Sequence, residues 1–209
     1  MTSRNHELTI RPLQGGIEII NPSNDRPGTL GAILTDGADR YALSCYHVLC
    51  RPNGAAFLDG ESVMQSVAQR AGTPIGNIFI ANASAALDCA AAKVTPGVAC
   101  AGRVLGIAPL RPPVAPVAGM RVLKSGYSTG VTEGEVIRVQ GDEVEVGRPR
   151  TYPPQYEPSD FGDSGALWVE RGSGSPVAMH TGVSPGANAI GISIQAVLRA
   201  LGLQLLIDA

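Results

Sequence analysis

The stretch "FGDSGALW" (residues 161–168) decides how this chain is read. Gly162 and Gly165 flank Asp163 and Ser164, and the segment runs into an apolar, strand-like sequence. Glycine accepts backbone angles closed to other residues. A serine held in such a turn is presented as a nucleophile, with nearby backbone N–H groups left to bind an oxyanion. The same residues also fit a plain Gly-Asp-Ser β-turn leading into a strand. The two readings separate only if the rest of the chain supplies a base and an acid to orient it.

Composition narrows the classes. The chain has 209 residues, enough for one large domain or one two-lobed unit. Hydrophobic residues make up 44%, which excludes a disordered chain. Charged residues make up only 16%, the net charge is −2 and there is no basic block, so nucleic acid is not an expected partner. Twenty-six glycines and 16 prolines mean many turns, as in a fold of short strands. No apolar run reaches the length of a membrane span, so no membrane partner is expected. The opening "MTSRNHELTIRPLQ" lacks the apolar stretch of a secretory signal, and the expected location is the cytoplasm.

The four cysteines, Cys45, Cys50, Cys89 and Cys100, are then expected to be reduced core residues. "CYHVLC" brings Cys45, His47 and Cys50 close together, which raises zinc. Zinc sites favour paired short spacings, and neither Cys89 nor Cys100 supplies a second pair. No metal and no other cofactor is expected.

Short apolar or alternating runs recur between Gly, Pro, Asn and Asp. They include "GIEII" (16–20), "TLGAILT" (29–35), "RYALSCYHVL" (40–49), "ESVMQSVAQ" (61–69), "IGNIFIA" (75–81) and "LDCAAAKV" (87–94). Further on come "MRVLKSG" (120–126), "GEVIRVQ" (134–140), "DEVEVG" (142–147), "GALWVE" (165–170), "PVAMHTG" (176–182) and "AIGISI" (189–194). Strands at this spacing indicate an all-β sandwich or barrels. "QGD" (140–142) reads as a tight hairpin connection. The tail changes period: Ile194, Val197, Leu198 and Leu201 follow helical spacing behind Ser193 as a candidate N-cap. A Pro-rich stretch (103–119) reads as a linker between two lobes, 1–110 and 111–209. A second irregular stretch (147–160) contains four prolines and runs into the serine turn. Its Tyr152 and Tyr156 are candidates either to line a substrate channel or to pack on their own scaffold.

Three histidines are available as a base. His6 lies in a polar terminus. His47 follows an apolar strand where it gives way to "CRPNG", a rigid place from which to face a cleft. Among the acids, Asp88 stands in a run of small apolar residues, where a carboxylate needs a donor such as a histidine N–H, or else it ends a turn before a strand. His47, Asp88 and Ser164 occur in the order used by one well-characterised proteolytic triad.

On these segments the sequence resembles chymotrypsin-fold (trypsin-like) serine proteases of bacterial type. "LSCYHVL" resembles the family's strand ending in the catalytic histidine, "LDCAAAKV" the segment around its acid, and "FGDSGALW" carries its G-D-S-G turn. "LKSGYSTGVTEGEV" (123–136) resembles a run common in bacterial and plant members. The C-terminal part, from "VAMHTGV", is similar to glutamyl endopeptidases. The resemblance implies two perpendicular six-stranded antiparallel β-barrels, here with a C-terminal helix and the active site between the barrels. It implies a triad of His47, Asp88 and Ser164, with an oxyanion hole from the N–H groups of Gly162 and Ser164. It also places His180, Thr181 and Gly182 in the wall of the specificity pocket, although His180 reads equally as a buried strand histidine bonded to the backbone.

The implied activity is a serine endopeptidase acting on proteins or peptides, with Glu, Asp or Gln before the cut if His180 reads the substrate. A trypsin-like preference needs an acid at the pocket base. Pro158 occupies that place in an ungapped count, with Glu157 and Asp160 beside it. The competing expectation is a catalytically silent relative that uses the fold as a protein-binding module. A regulatory protein partner fits either reading, and nothing in the sequence identifies one. The chain departs from the family in several ways. It has "GDSGAL" where the family usually has "GDSGGP", Tyr46 before the histidine and no I-V-G-G terminus. Animal trypsins pair the acid matching Asp163 with a new N-terminal amine, so the partner of Asp163 is an open question.

Overall fold

The computed structural model describes residues 9–24, 26–50, 58–67, 70–107, 109–184 and 188–208. The first part of the chain forms β1 (Leu13–Gly15), β2 (Ile17–Ile20), β3 (Gly28–Leu30), β4 (Ala32–Thr35) and β5 (Arg40–Cys45). A one-turn helix, α1 (Tyr46–Leu49), precedes β6 (Glu61–Val67), β7 (Arg70–Ile78), β8 (Ala83–Ser84), β9 (Cys89–Val94) and β10 (Cys100–Val104). The second part forms β11 (Arg121–Gly126), β12 (Gly130–Gln140), β13 (Glu143–Gly147), β14 (Leu167–Glu170), β15 (Pro176–Val183) and β16 (Ala189–Ser193). The chain closes with α2 (Ile194–Leu201) and β17 (Gln204–Leu205).

The fold is the all-β double barrel. Strands β11 to β16 close into a six-stranded barrel in the order β11-β12-β13-β16-β15-β14. The first lobe curls without closing: its nine-stranded sheet runs β17-β4-β5-β9-β7-β6-β2-β3, with β8 on β9. The run read as one strand over 29–35 breaks at Gly31 into β3 and β4. A side chain at Gly31 would fall on the Gly165 carbonyl, so this break is where the Gly162–Gly165 turn docks onto the first lobe.

Strands β5 and β9 are buried on both faces, and Tyr41, Leu43, Cys45, Cys89, Ala91 and their neighbours lie in a core shared with Leu167, Met179 and Val197. A smaller core of Val122, Val136, Val144, Val146 and Trp168 fills the second barrel. The "QGD" turn is a two-residue connection at Gly141 and Asp142, with Gly141 at φ +60° where a left-handed residue is needed. The predicted helix is present. Ser193 occupies its N-cap position without a side-chain capping bond, and Gly202 (φ +65°) ends it. Beyond it, β17 pairs with β4 and ties the C-terminus to the first lobe.

Candidate active site

His47 and Asp88 are brought together by the register of β5 and β9. Cys45 faces Cys89 across the pair, and Tyr46 N–H donates to the Asp88 carbonyl at 3.0 Å. One step on, Tyr46 and Asp88 fall opposite each other, and His47 follows in α1, within reach of the Asp88 carboxylate. The His47 backbone N–H donates to Asp88 Oδ1 at 3.0 Å, and its Nδ1 lies 2.7 Å from Asp88 Oδ2. Two details refine the sequence reading. His47 sits in the one-turn helix α1 rather than at a strand end. Asp88 is not inside an apolar strand: it holds a half-exposed turn at φ +48°, and β9 starts one residue later. A non-glycine residue in that region carries backbone strain. Here the strained turn places both carboxylate oxygens on His47.

Ser164 comes from the other lobe, and it lines with His47 one cavity of about 1040 Å³ between the lobes. Gly162 and Gly165 both have φ +96°. A Cβ at Gly165 would strike the Thr29 carbonyl and the Ser44 hydroxyl, so glycine is required there by sterics as well as by angle. Thr29 clamps the turn. Its N–H donates to the Ser164 carbonyl at 2.8 Å, and its hydroxyl donates to the Gly162 carbonyl at 2.9 Å. The Gly165 N–H donates to the His180 carbonyl at 2.8 Å. Among the described residues the N–H groups of Gly162 and Ser164 have no acceptor, while the intervening Asp163 N–H donates to Asp160. Two unpaired N–H groups on a glycine-framed turn beside a serine suit a developing oxyanion.

The partner of Asp163 is internal. Lys124 Nζ lies 2.5 Å from Asp163 Oδ2, and both side chains are fully buried. Thr129 Oγ1 donates to the same oxygen at 2.7 Å, and the Ser128 and Thr129 N–H groups donate to Oδ1. Burial alone would raise the Asp163 carboxyl; the Lys124 ammonium and these hydrogen bonds bring it below the usual carboxylate value. Lys124 lies within "LKSG" of the segment whose resemblance was noted, yet nothing in its spacing marked it as the counter-ion.

His180, Thr181 and Gly182 line the same cavity. The Thr181 hydroxyl donates to the Ile190 carbonyl at 3.3 Å. His180 is 2% exposed, and its Nδ1 is buried without a partner. Its ring meets Trp168 edge-on, with centroids 6.1 Å apart. Burial first, and then the Lys124 charge, pushes His180 down to about 3, so the imidazole is neutral at neutral pH. Ser159, which sequence reading passed over, is nearly buried and lines the cavity, as do Glu157 and Asp160. Tyr152 and Tyr156 stack on each other at 4.4 Å. Tyr152 donates to Glu133 Oε2 at 2.9 Å, and Tyr156 donates to the Glu133 carbonyl at 3.0 Å. With the ion pairs of Arg121 and Arg171 to Glu133, they pin the proline-rich loop to β12 and do not line the cavity. His6 lies outside the described residues.

The ligand atoms of Cys45, His47 and Asp88 lie within 4.8 Å of one another, so the closest Cys/His group differs from the Cys45–His47–Cys50 trio in the sequence. The Cys45 thiol donates to the His180 carbonyl at 3.2 Å. Its pKa is pushed well above the usual value by burial, with Asp88 and Cys89 adding to it. A protonated thiol is a weak metal ligand. All four cysteines are free.

No protein-family model and no curated protein sequence matches the chain. Solved structures do. A glutamic acid-specific serine protease described as using a histidine triad in substrate binding has a TM-score of 0.69 and 22% identity, over 92% of this chain and 100% of that one. Thermobifida fusca protease A has a TM-score of 0.67 and 16% identity, over 93% and 98%. A Cellulomonas bogoriensis chymotrypsin has a TM-score of 0.65 and 15% identity, over 93% and 98%. These likenesses fix the fold as that of bacterial chymotrypsin-fold serine proteases.

Proposed function

We propose that this chain is a serine endopeptidase of proteins or peptides. The observation that carries the reading is the pairing of His47 Nδ1 with Asp88 Oδ2 at 2.7 Å, on the wall of the cavity into which Ser164 is presented. In this mechanism the Ser164 hydroxyl attacks the scissile carbonyl while the other nitrogen of His47 takes its proton. Asp88 holds the imidazole tautomer and offsets the imidazolium that forms. The Gly162 and Ser164 N–H groups stabilise the tetrahedral oxyanion. His47 then returns the proton to the leaving amine, and water releases the acyl group by the same steps.

The Lys124–Asp163 pair bears on activation. A resident ammonium already fills the place that a new N-terminal amine fills in animal trypsins, so this reading needs no cleavage to order the turn. His180 and Ser159 are the groups proposed to read the side chain before the cut, favouring one that accepts hydrogen bonds: Glu, Asp or Gln.

Labelling with a fluorophosphonate tests the proposal. One adduct on Ser164, absent from Ser164→Ala, together with peptide cleavage by the wild type, supports it. A folded wild type that neither labels nor cleaves a broad peptide library would leave the double barrel as a binding module.

A further inference from the structure

Resting on the peptidase reading, we infer that the pocket beside Ser164 takes a neutral carboxamide side chain, glutamine foremost, in preference to a carboxylate. The buried polar side chains of its lining are His180 and Ser159. A neutral imidazole and a hydroxyl each give and take hydrogen bonds, and so does a carboxamide. A carboxylate only accepts, and it brings a charge that must be matched once water is excluded.

Among the described residues, the one fully buried ammonium, Lys124, is already matched. Behind His180 stands Trp168, and the Lys124 ammonium sits 5.4 Å from the Trp168 ring. That ammonium is already neutralised by Asp163 and also donates to Thr129 at 2.8 Å. His47 and His180 are the two histidines of the described residues, and His47 is committed to Asp88. A substrate-binding set of three histidines therefore cannot be assembled from these residues. Burial keeps His180 itself uncharged at neutral pH. Binding a carboxylate would require proton uptake by a group held far from protonation.

The cavity lining adds the opposite sign. Glu157 and Asp160 belong to the same loop as Ser159 and are exposed at the cavity. Asp160 Oδ1 accepts the Phe161 N–H, which fixes the carboxylate at the rim. Among the described residues the one Arg or Lys of the lining, Arg26, is exposed and comes from the first lobe, ahead of β3. Two carboxylates next to the loop bearing Ser159 disfavour an anionic side chain and leave a neutral one unaffected.

Peptides that differ only in the residue before the cut test this, with Gln, Glu, Asn, Asp, Leu and Lys compared at pH 8. Active-site titration with a fluorophosphonate is run in parallel. The expected result is a kcat/KM for Gln at least about 10-fold above that for Glu, because a hydrogen-bonding pocket discriminates strongly against a mismatched group. The double variant Glu157→Gln, Asp160→Asn should narrow that ratio by raising Glu cleavage. A labelled enzyme that cleaves after Glu as well as after Gln, or best after Lys, overturns the inference and leaves the peptidase reading intact. A folded protein that neither labels nor cleaves overturns both.

Discussion

Lys124 Nζ lies 2.5 Å from Asp163 Oδ2, and neither side chain has any solvent exposure. The carboxylate under the nucleophile turn thus carries a cation from β11 within the same barrel. Lys124→Met would strand a buried carboxylate, and removing one partner of a buried pair costs about 3–5 kcal/mol. The expected outcome is a lowered urea midpoint and loss of Ser164 labelling even in the fraction that stays folded. The Asp163 carboxyl titrates below its ordinary value of 3.8. Its contribution is therefore fully present above that pH and is lost as pH falls through the lower, folded-state value. Urea midpoints measured between pH 6 and pH 2.5 should show this acid loss, and Asp163→Asn should lack it.

Ser164→Ala should leave the melting temperature unchanged and abolish labelling. Asp88→Asn should reduce kcat by about 10⁴-fold, because the amide stabilises the wrong His47 tautomer. His47→Ala combined with Asp88→Asn should be little worse than His47→Ala alone, since triad members act as a unit. Single-turnover assays on one activated ester substrate measure all three. Wild-type turnover by Ser164→Ala would sink the nucleophile assignment.

Thr29 reaches the Ser164 turn from the opposite lobe through two bonds, to the Ser164 and Gly162 carbonyls, and its hydroxyl also accepts the Tyr127 N–H at 3.0 Å. Thr29→Val removes the hydroxyl but keeps the shape. It should cost about 1–3 kcal/mol for the groups left unpaired and slow labelling at Ser164. Gly165→Ala should be worse on both counts, because it adds a clash with the Thr29 carbonyl and forces φ +96° on alanine. Thermal melts read the first effect and labelling rates the second. Labelling at the wild-type rate in Gly165→Ala would show that the turn geometry is not needed.

Burial pushes Cys50 and Cys89 up to about 12 and Cys45 well above its usual value, while Cys100 is raised and only partly buried. Thiolates are the reactive species, so alkylation of the native protein at pH 8 should be slow and should begin at Cys100. Denaturation should expose four free thiols to mass spectrometry. Rapid loss of Cys45 to alkylation in the native state would contradict its burial.

Much of the site was legible along the chain because its chemistry is written locally. A nucleophile turn needs glycine at both flanks, so Gly162 and Gly165 announce Ser164. Period-two apolar runs marked the strands, and the change to helical spacing marked α2 from Ile194 onward. Few of the partners that make the site work have such a signature. Thr29 and Lys124 are separated from the turn by 133 and 39 residues respectively, and each lies in a strand that looks like any other. Only closure of the second barrel and docking of the lobes put a hydroxyl and an ammonium there. Asp88 was found, but not the backbone angle that aims it: neither an apolar run nor a turn before a strand shows a single residue at φ +48°. The charge state of His180 was also beyond the sequence. A histidine in a strand is ordinary, and burial beside Trp168 and Lys124, a property of packing alone, makes it a neutral one.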